Sequence, residues 1–180
     1  MPEIPSVFVS GQILERLHCC AARKIHDPHR RRHTSWPEDH RGRQRRTPAY
    51  PQRVRESFFS ILGNAIPGRP FIDVFAGTGV IGIEAISRGA TLATFLEKDP
   101  KSAADILRYL RDFDVVDEGL VLRTDVYRWA ERWIPPLGKP LNLSLSPPFK
   151  DFDDNVPAFV RSVRLLWDEL PDESAMTIQS

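Results

Sequence analysis

The chain has 180 residues, of which 41% are hydrophobic and 27% charged, enough for one domain with its own core. No apolar run approaches the roughly 20 residues of a membrane span, and the first short apolar patch has no basic region before it, so neither a span nor a signal peptide is expected. The net charge of +1 is uneven: between Arg16 and Arg55 there are twelve Lys or Arg against three acids, Asp27, Glu38 and Asp39, so that segment carries +9 and the rest −8.

Residues 1–45 read as a basic, poorly ordered N-terminal arm, with much charge and little apolar periodicity. Such an arm fits a polyanion, nucleic acid first, or simply a solvated tail; both readings stay open. All five histidines lie in it, with Cys19 and Cys20. Their spacing matches no zinc pattern, so no metal is expected. The adjacent cysteines imply no disulfide framework, and a cytoplasmic protein is expected.

From Pro51 the pattern becomes helical. "PQRVRESFFSILGNAI" places Val54, Phe58, Ile61, Leu62 and Ala65 on one face, with Pro51 in the first turn and Gly63 or Asn64 near the end. "RPFIDVFAGTG" is a short strand running into glycines, and "GVIGIEAISRG" a helix stopped by Gly89. "ATLATFLEKD" is a second strand and "PKSAADILRYLRDFD" a second helix of the repeating pattern. "EGLVLRTDV" is a third strand, followed by a short helix, "YRWAERWI". "PLNLSLSPPF" is a fourth strand, "NVPAFVRSVRLLWDEL" a further helix and "SAMTIQS" a fifth strand. Strands alternating with helices predict an α/β protein with a parallel sheet covered on both faces.

Three strand ends carry chemistry. Gly77, Gly79 and Gly82 form G-x-G-x-x-G between a strand and a helix, where bare backbone allows a tight turn and a ligand's close approach. Glu97 at the next tip suits the two hydroxyls of a ribose. Asp125 at the third suits an adenine amino group. An adenosine ligand satisfies all three. Asp73 and Glu84 add negative charge, which suits a cationic sulfonium ligand better than a pyrophosphate. S-adenosylmethionine is therefore favoured over NAD, which stays as the alternative.

The fourth strand ends in Ser146-Pro147-Pro148-Phe149. Proline cannot donate to a ladder, so the pair ends the strand and stiffens the backbone beyond it. A turn without chemistry is the plain reading. The alternative is a reactive turn at a sheet's carboxyl edge.

"DVFAGTGVIGIEAISRGA", "FLEKD", "RTDV" and "SPPF", in this order, resemble the RsmD-type family of bacterial methyltransferases, which methylate the exocyclic N2 of a guanine in small-subunit ribosomal RNA. "RTPAYPQRVRESFFSIL" is similar to that family's lead-in. The resemblance runs from about Arg46 to about Gln179. It implies a doubly wound, mostly parallel, Rossmann-like sheet of the class I methyltransferase type over residues 46–180, short of its last strands, with S-adenosylmethionine as donor. It implies Asp73, Ala76, Gly77 and Gly79 at the methionine end of the cofactor. Glu97 is implied on the ribose, and Asp125 with Val126 near the adenine. It implies Ser146, Pro147, Pro148 and Phe149 at the target base. The lead-in, with Arg53, Arg55 and Glu56, is implied to close over the cofactor and touch RNA, and Arg43, Arg45 and Arg46 just before it are expected at RNA as well. The implied partner is ribosomal RNA or a small-subunit assembly, with no membrane, and the protein a monomer. Ser146 stands where the family usually has Asp or Asn, and Phe149 where it often has Tyr. Two alternatives arise from Ser146: a catalytically impaired RNA-binding protein of the same fold, or an amino-methyltransferase acting on another base.

Overall fold

The computed structural model describes residues 52–136 and 139–179. The basic arm, with its histidines and cysteines, lies outside the described residues, as do Arg43, Arg45, Arg46 and Pro51.

Helix α1 (Gln52–Leu62) opens the described chain and runs into a 3-10 turn at Gly63–Ala65. Its buried face is not the one the spacing predicts. Phe58, Phe59 and Leu62 are buried, whereas Ile61 is 80% exposed and Val54 47%. The rings of Phe58 and Phe59 meet edge-on at 4.9 Å, and Phe59 lies 6.4 Å from Phe71 on the first strand. Burying two large rings removes more apolar surface than burying Val54 and Ile61, so the helix is rotated toward them.

Strands β1 (Phe71–Val74), β2 (Ala93–Leu96), β3 (Gly119–Leu122), β4 (Asn142–Leu145) and β5 (Ala175–Ile178) form one sheet in the order β3-β2-β1-β4-β5, with every pair parallel. The connections are α2 (Val80–Ser87), α3 (Pro100–Asp112), α4 (Val126–Ala130), and α5 (Phe149–Asp154) with α6 (Val156–Asp168). Burial along β1, β2 and β4 is nearly continuous rather than alternating, taking in even Asp73, Asn142 and Ser144, as strands covered on both faces require. Alternation still sorts them. Ile72, Val74, Leu96, Leu143 and Leu145 pack with Val126, Ala130, Phe159 and Leu166 of α4 and α6. Phe95 packs with Ile83, Ile86, Ile106 and Leu110 of α2 and α3. Phe71 joins α1 and α2 through Phe58, Phe59, Val80 and Ile81.

The chain moves outward from β1 to β2 and β3, then returns to lay β4 on the other side of β1. The order therefore reverses between β1 and β4, the switch point beyond whose strand ends open α/β sheets place their ligands. Helix α5 is an addition to the sequence reading, which carries no helix there. Pro148 caps it, and the Asp151 N–H donates to the Pro148 carbonyl at 2.8 Å. A six-residue helix headed by two prolines has too few turns to leave an apolar period.

Candidate active site at the switch point

The β1 turn is built by steric demand as much as by glycine freedom. Phe75, the first residue after β1, has φ 68°, an uncommon conformation for a bulky side chain. Its ring meets that of Tyr127 edge-on at 5.8 Å. Ala76 donates to the Leu96 carbonyl at 2.9 Å and Gly79 to the Ala76 carbonyl at 2.7 Å. Gly77 has φ 54°, and a Cβ there would meet nothing nearer than a backbone oxygen at 3.9 Å. The space beside Gly77 is open, as a ligand's approach requires. Gly82 differs: a Cβ there would sit 2.2 Å from the Phe95 ring. The third glycine thus serves contact between α2 and β2, not the turn.

Asp73 is 2% exposed, and its Oδ2 accepts from the Gly82 N–H at 3.0 Å. Burial pushes its carboxyl up from 3.8 to about 7; the Gly82 N–H opposes the shift and the charge of Glu97 adds to it. The group is held near neutrality, poised to ionise if a cation comes close. Glu97, at the tip of β2, accepts from the Gly77 N–H through Oε2 and from the Asp99 N–H through Oε1, each at 2.8 Å. Asp125, after β3, caps α4: its Oδ1 accepts from the N–H groups of Tyr127 at 3.1 Å and Arg128 at 3.2 Å. Val126 beside it is 5% exposed.

The Ser146 N–H donates to the Val74 carbonyl at 3.2 Å, which sets the Ser-Pro-Pro-Phe turn beside the glycine turn. The Ser146 hydroxyl is buried and has no hydrogen-bond partner. Pro147 is buried, and Phe149 is 78% exposed. An exposed ring against a rigid turn offers a stacking face. The Tyr127 hydroxyl donates to Asp151 Oδ2, tying α5 to α4. Burial and then the Asp151 carboxylate hold the Tyr127 hydroxyl well above its ordinary range, so it stays protonated. Neither Tyr127 nor Asp151 is marked by any sequence motif, because their meeting depends on how two short helices cross.

Two residues sit otherwise than the sequence reading holds. Glu84 makes no negative wall for a ligand, since Arg55 at 2.9 Å and Arg88 at 2.7 Å both pair with it. Arg55, expected at RNA, has a side chain only 12% exposed and directed to Glu84, so it fastens α1 to α2. Arg53, on the same helix, is exposed. Asp73, Ala76, Gly77, Gly79, Glu97, Asp125, Val126 and Ser146 to Phe149 all lie at the carboxyl ends of β1 to β4. No group of three or more His, Cys, Asp or Glu among the described residues could hold a metal ion.

The family model described as conserved hypothetical protein 95 matches residues 40–169. The ribosomal RNA small subunit methyltransferase D of Buchnera aphidicola is 32% identical over 80 residues, 44% of this chain and 41% of that protein. The chain spans about half the length of the curated relatives it matches. The solved structure of yhhF from Escherichia coli superposes with a TM-score of 0.61 at 27% identity, over 77% of this chain and 76% of that one. An RNA methyltransferase from Salinibacter ruber, solved in complex with S-adenosyl-L-homocysteine, shares the fold with a TM-score of 0.52 at 16% identity, over 69% and 71%.

Proposed function

The chain belongs to this family, the RsmD-type proteins, with a class I methyltransferase fold, and on that premise we propose that it transfers a methyl group from S-adenosylmethionine to the exocyclic N2 of a guanine in small-subunit ribosomal RNA. The observation that carries the proposal is the Ser146 to Val74 hydrogen bond, which brings an acceptor turn next to a glycine turn and its acids at one sheet edge. The relatives named as small-subunit ribosomal RNA methyltransferases support the substrate class.

The residues suit the cofactor. Open space at Gly77 admits a ligand against bare backbone, Glu97 keeps acceptor capacity for ribose hydroxyls, and Asp125 Oδ2 is left for an adenine amine. Asp73 supplies a carboxyl that a nearby cation would ionise. When bound, S-adenosylmethionine supplies the electrophilic methyl group. The chain's own part is placement. An exocyclic amine is a poor nucleophile because its lone pair is delocalised into the ring. The carbonyl before the two prolines and the Ser146 hydroxyl accept from the amine hydrogens and turn the lone pair toward the donor. Phe149 stacks on the extruded base. The barrier falls through orientation and electrostatics, without a strong base.

On this reading residues 1–45 form a basic arm that, with Arg43, Arg45, Arg46 and Arg53, draws in RNA, and the protein works in the cytoplasm as a monomer. A second reading, methylation of another base such as cytosine or binding without turnover, is favoured by Ser146, whose hydroxyl is uncharged where a stronger acceptor would serve guanine better. Calorimetry with S-adenosylmethionine, then labelled methyl transfer to small ribosomal subunits and mass spectrometry of the RNA, tests both. Binding with N2-methylguanosine as product is expected. No cofactor binding, or no transfer to any ribosomal RNA, overturns the first reading.

A further inference from the structure

Parallel pairing of β4 with β5 sets Leu145 opposite Ile178, and the Gln179 N–H donates to the Leu145 carbonyl at 2.9 Å. One step on, Gln179 is the neighbour of Ser146. Alternation puts both on the face that carries Ser144 and Asp73, since Asp73 pairs with Ser144 and Ser144 with Thr177. Both polar atoms of the Gln179 amide, Nε2 and Oε1, are buried without a partner, and so is the Ser146 hydroxyl. A buried amide with neither its donor nor its acceptor used costs stability, and in a native protein it calls for a reason. Here two residues with such side chains are neighbours across the β4–β5 pairing, at the edge where the proposed function places the target amine.

We propose that the Gln179 amide reads the base whose amine the Ser146 turn receives, and that it selects guanine. The inference rests on the methyltransferase reading above. An amide offers one acceptor and one donor in a plane. Along the pairing edge of guanine, the exocyclic amine is followed by the N1–H donor and then the O6 acceptor. With the amine at Ser146, Oε1 accepts from N1–H and Nε2 donates to O6. Adenine presents a ring acceptor and then a C–H in those two places, so Oε1 is left unpaired. Cytosine presents two acceptors, with the same result. Extruded bases are commonly read this way, by hydrogen bonds to the pairing edge.

The test uses the full chain, small ribosomal subunits lacking the modification, and labelled S-adenosylmethionine. Gln179→Leu keeps the side chain's bulk and removes both hydrogen bonds. It is expected to melt no lower than wild type, to bind S-adenosylmethionine within about twofold, and to lose about tenfold or more in kcat/KM, the scale of one base-reading pair. Gln179→Glu keeps an acceptor for N1–H but no donor for O6, and should fall between the two. If Gln179→Leu turns over within about twofold of wild type, the inference fails and the methyltransferase reading stands. If its melting point, cofactor affinity and rate all fall together, Gln179 is structural and the inference again fails. If wild type itself transfers nothing to the subunits, the parent reading fails and takes this inference with it, before any variant is made.

Discussion

Gly77 donates its N–H to Oε2 of Glu97 at 2.8 Å, across the gap between the ends of β1 and β2. With the Asp99 N–H on Oε1, this holds the carboxylate by two backbone donors and fixes its direction. A carboxylate has about four acceptor positions, so two remain for a ligand's hydroxyls. The acid is thus a brace for the glycine turn and, on the proposed function, a preset receptor.

Glu97→Ala should weaken S-adenosylmethionine binding by about 1.5–3 kcal/mol, the range for hydrogen bonds to a charged group. Isothermal calorimetry measures it. An unchanged dissociation constant would sink the assignment of Glu97 to the ribose.

Asp73 makes stability depend on pH in an unusual direction for an acid. Its folded value of about 7 lies above its ordinary 3.8, so between those values the folded chain holds a proton that the unfolded chain has lost. Its contribution is fully present below about 4, falls as pH rises to about 7, and is flat above. The difference in melting temperature between Asp73→Asn and wild type should therefore grow in the variant's favour from about pH 5 to about pH 8. A cation bound nearby would ionise Asp73, so wild-type cofactor affinity should rise over the same interval and the variant's should not. Parallel pH curves for the two proteins would count against both statements.

Gly82→Ala should destabilise the fold by about 1–3 kcal/mol, the usual cost of overpacking, because its Cβ would enter the Phe95 ring. Where the variant still folds, its cofactor affinity should be close to wild type, since Gly82 serves packing. A denaturant midpoint equal to wild type would refute the packing role.

Deleting residues 1–40 should weaken RNA binding and flatten its salt dependence without changing which base is methylated. Six of the twelve Lys or Arg counted between Arg16 and Arg55 lie within the deleted residues, which motivates the expectation. An equal salt slope for the truncated and full chains would mean that the segment makes no phosphate contacts.

Ser146→Asp and Ser146→Asn should raise turnover on guanine several-fold without tightening cofactor binding. A stronger acceptor at the amine acts mainly in the transition state and so appears in kcat. Initial rates for the three proteins on one ribosomal substrate decide. If wild type is active and both substitutions abolish turnover, the site is built around the hydroxyl and guanine loses ground to another base.

Most of the frame is legible because its signals are local. The strand-glycine-helix run at Asp73 to Gly82, the acids at Glu97 and Asp125, and the Pro-Pro stop after Ser146 each announce themselves within a few residues. The features that stay hidden depend on distant partners. The buried face of α1 is ambiguous because Ile61 and Phe59 fit a helical stripe about equally well, and only Phe71 on β1 settles which is buried. Arg55 reads as a free cation until Glu84, on another helix, comes within reach. Gln179 follows an ordinary strand, and only the β4–β5 register, with its N–H on the Leu145 carbonyl, makes it the neighbour of Ser146.

The strand order also sets a timetable for synthesis. Strands β1, β2 and β3 are consecutive neighbours, so the pairings that bring Gly77, Glu97 and Asp125 to one edge need no strand made after them. Strand β4 must then find β1 again, Asn142 against Phe71, across a long stretch of already folded chain. Until that late pairing closes, the glycine turn and its acids would stand at one sheet edge without the Ser-Pro-Pro-Phe turn beside them. On the proposed function, donor capture would precede competence to react, and a slow step in translation between β3 and β4 would lengthen that interval without altering the finished fold.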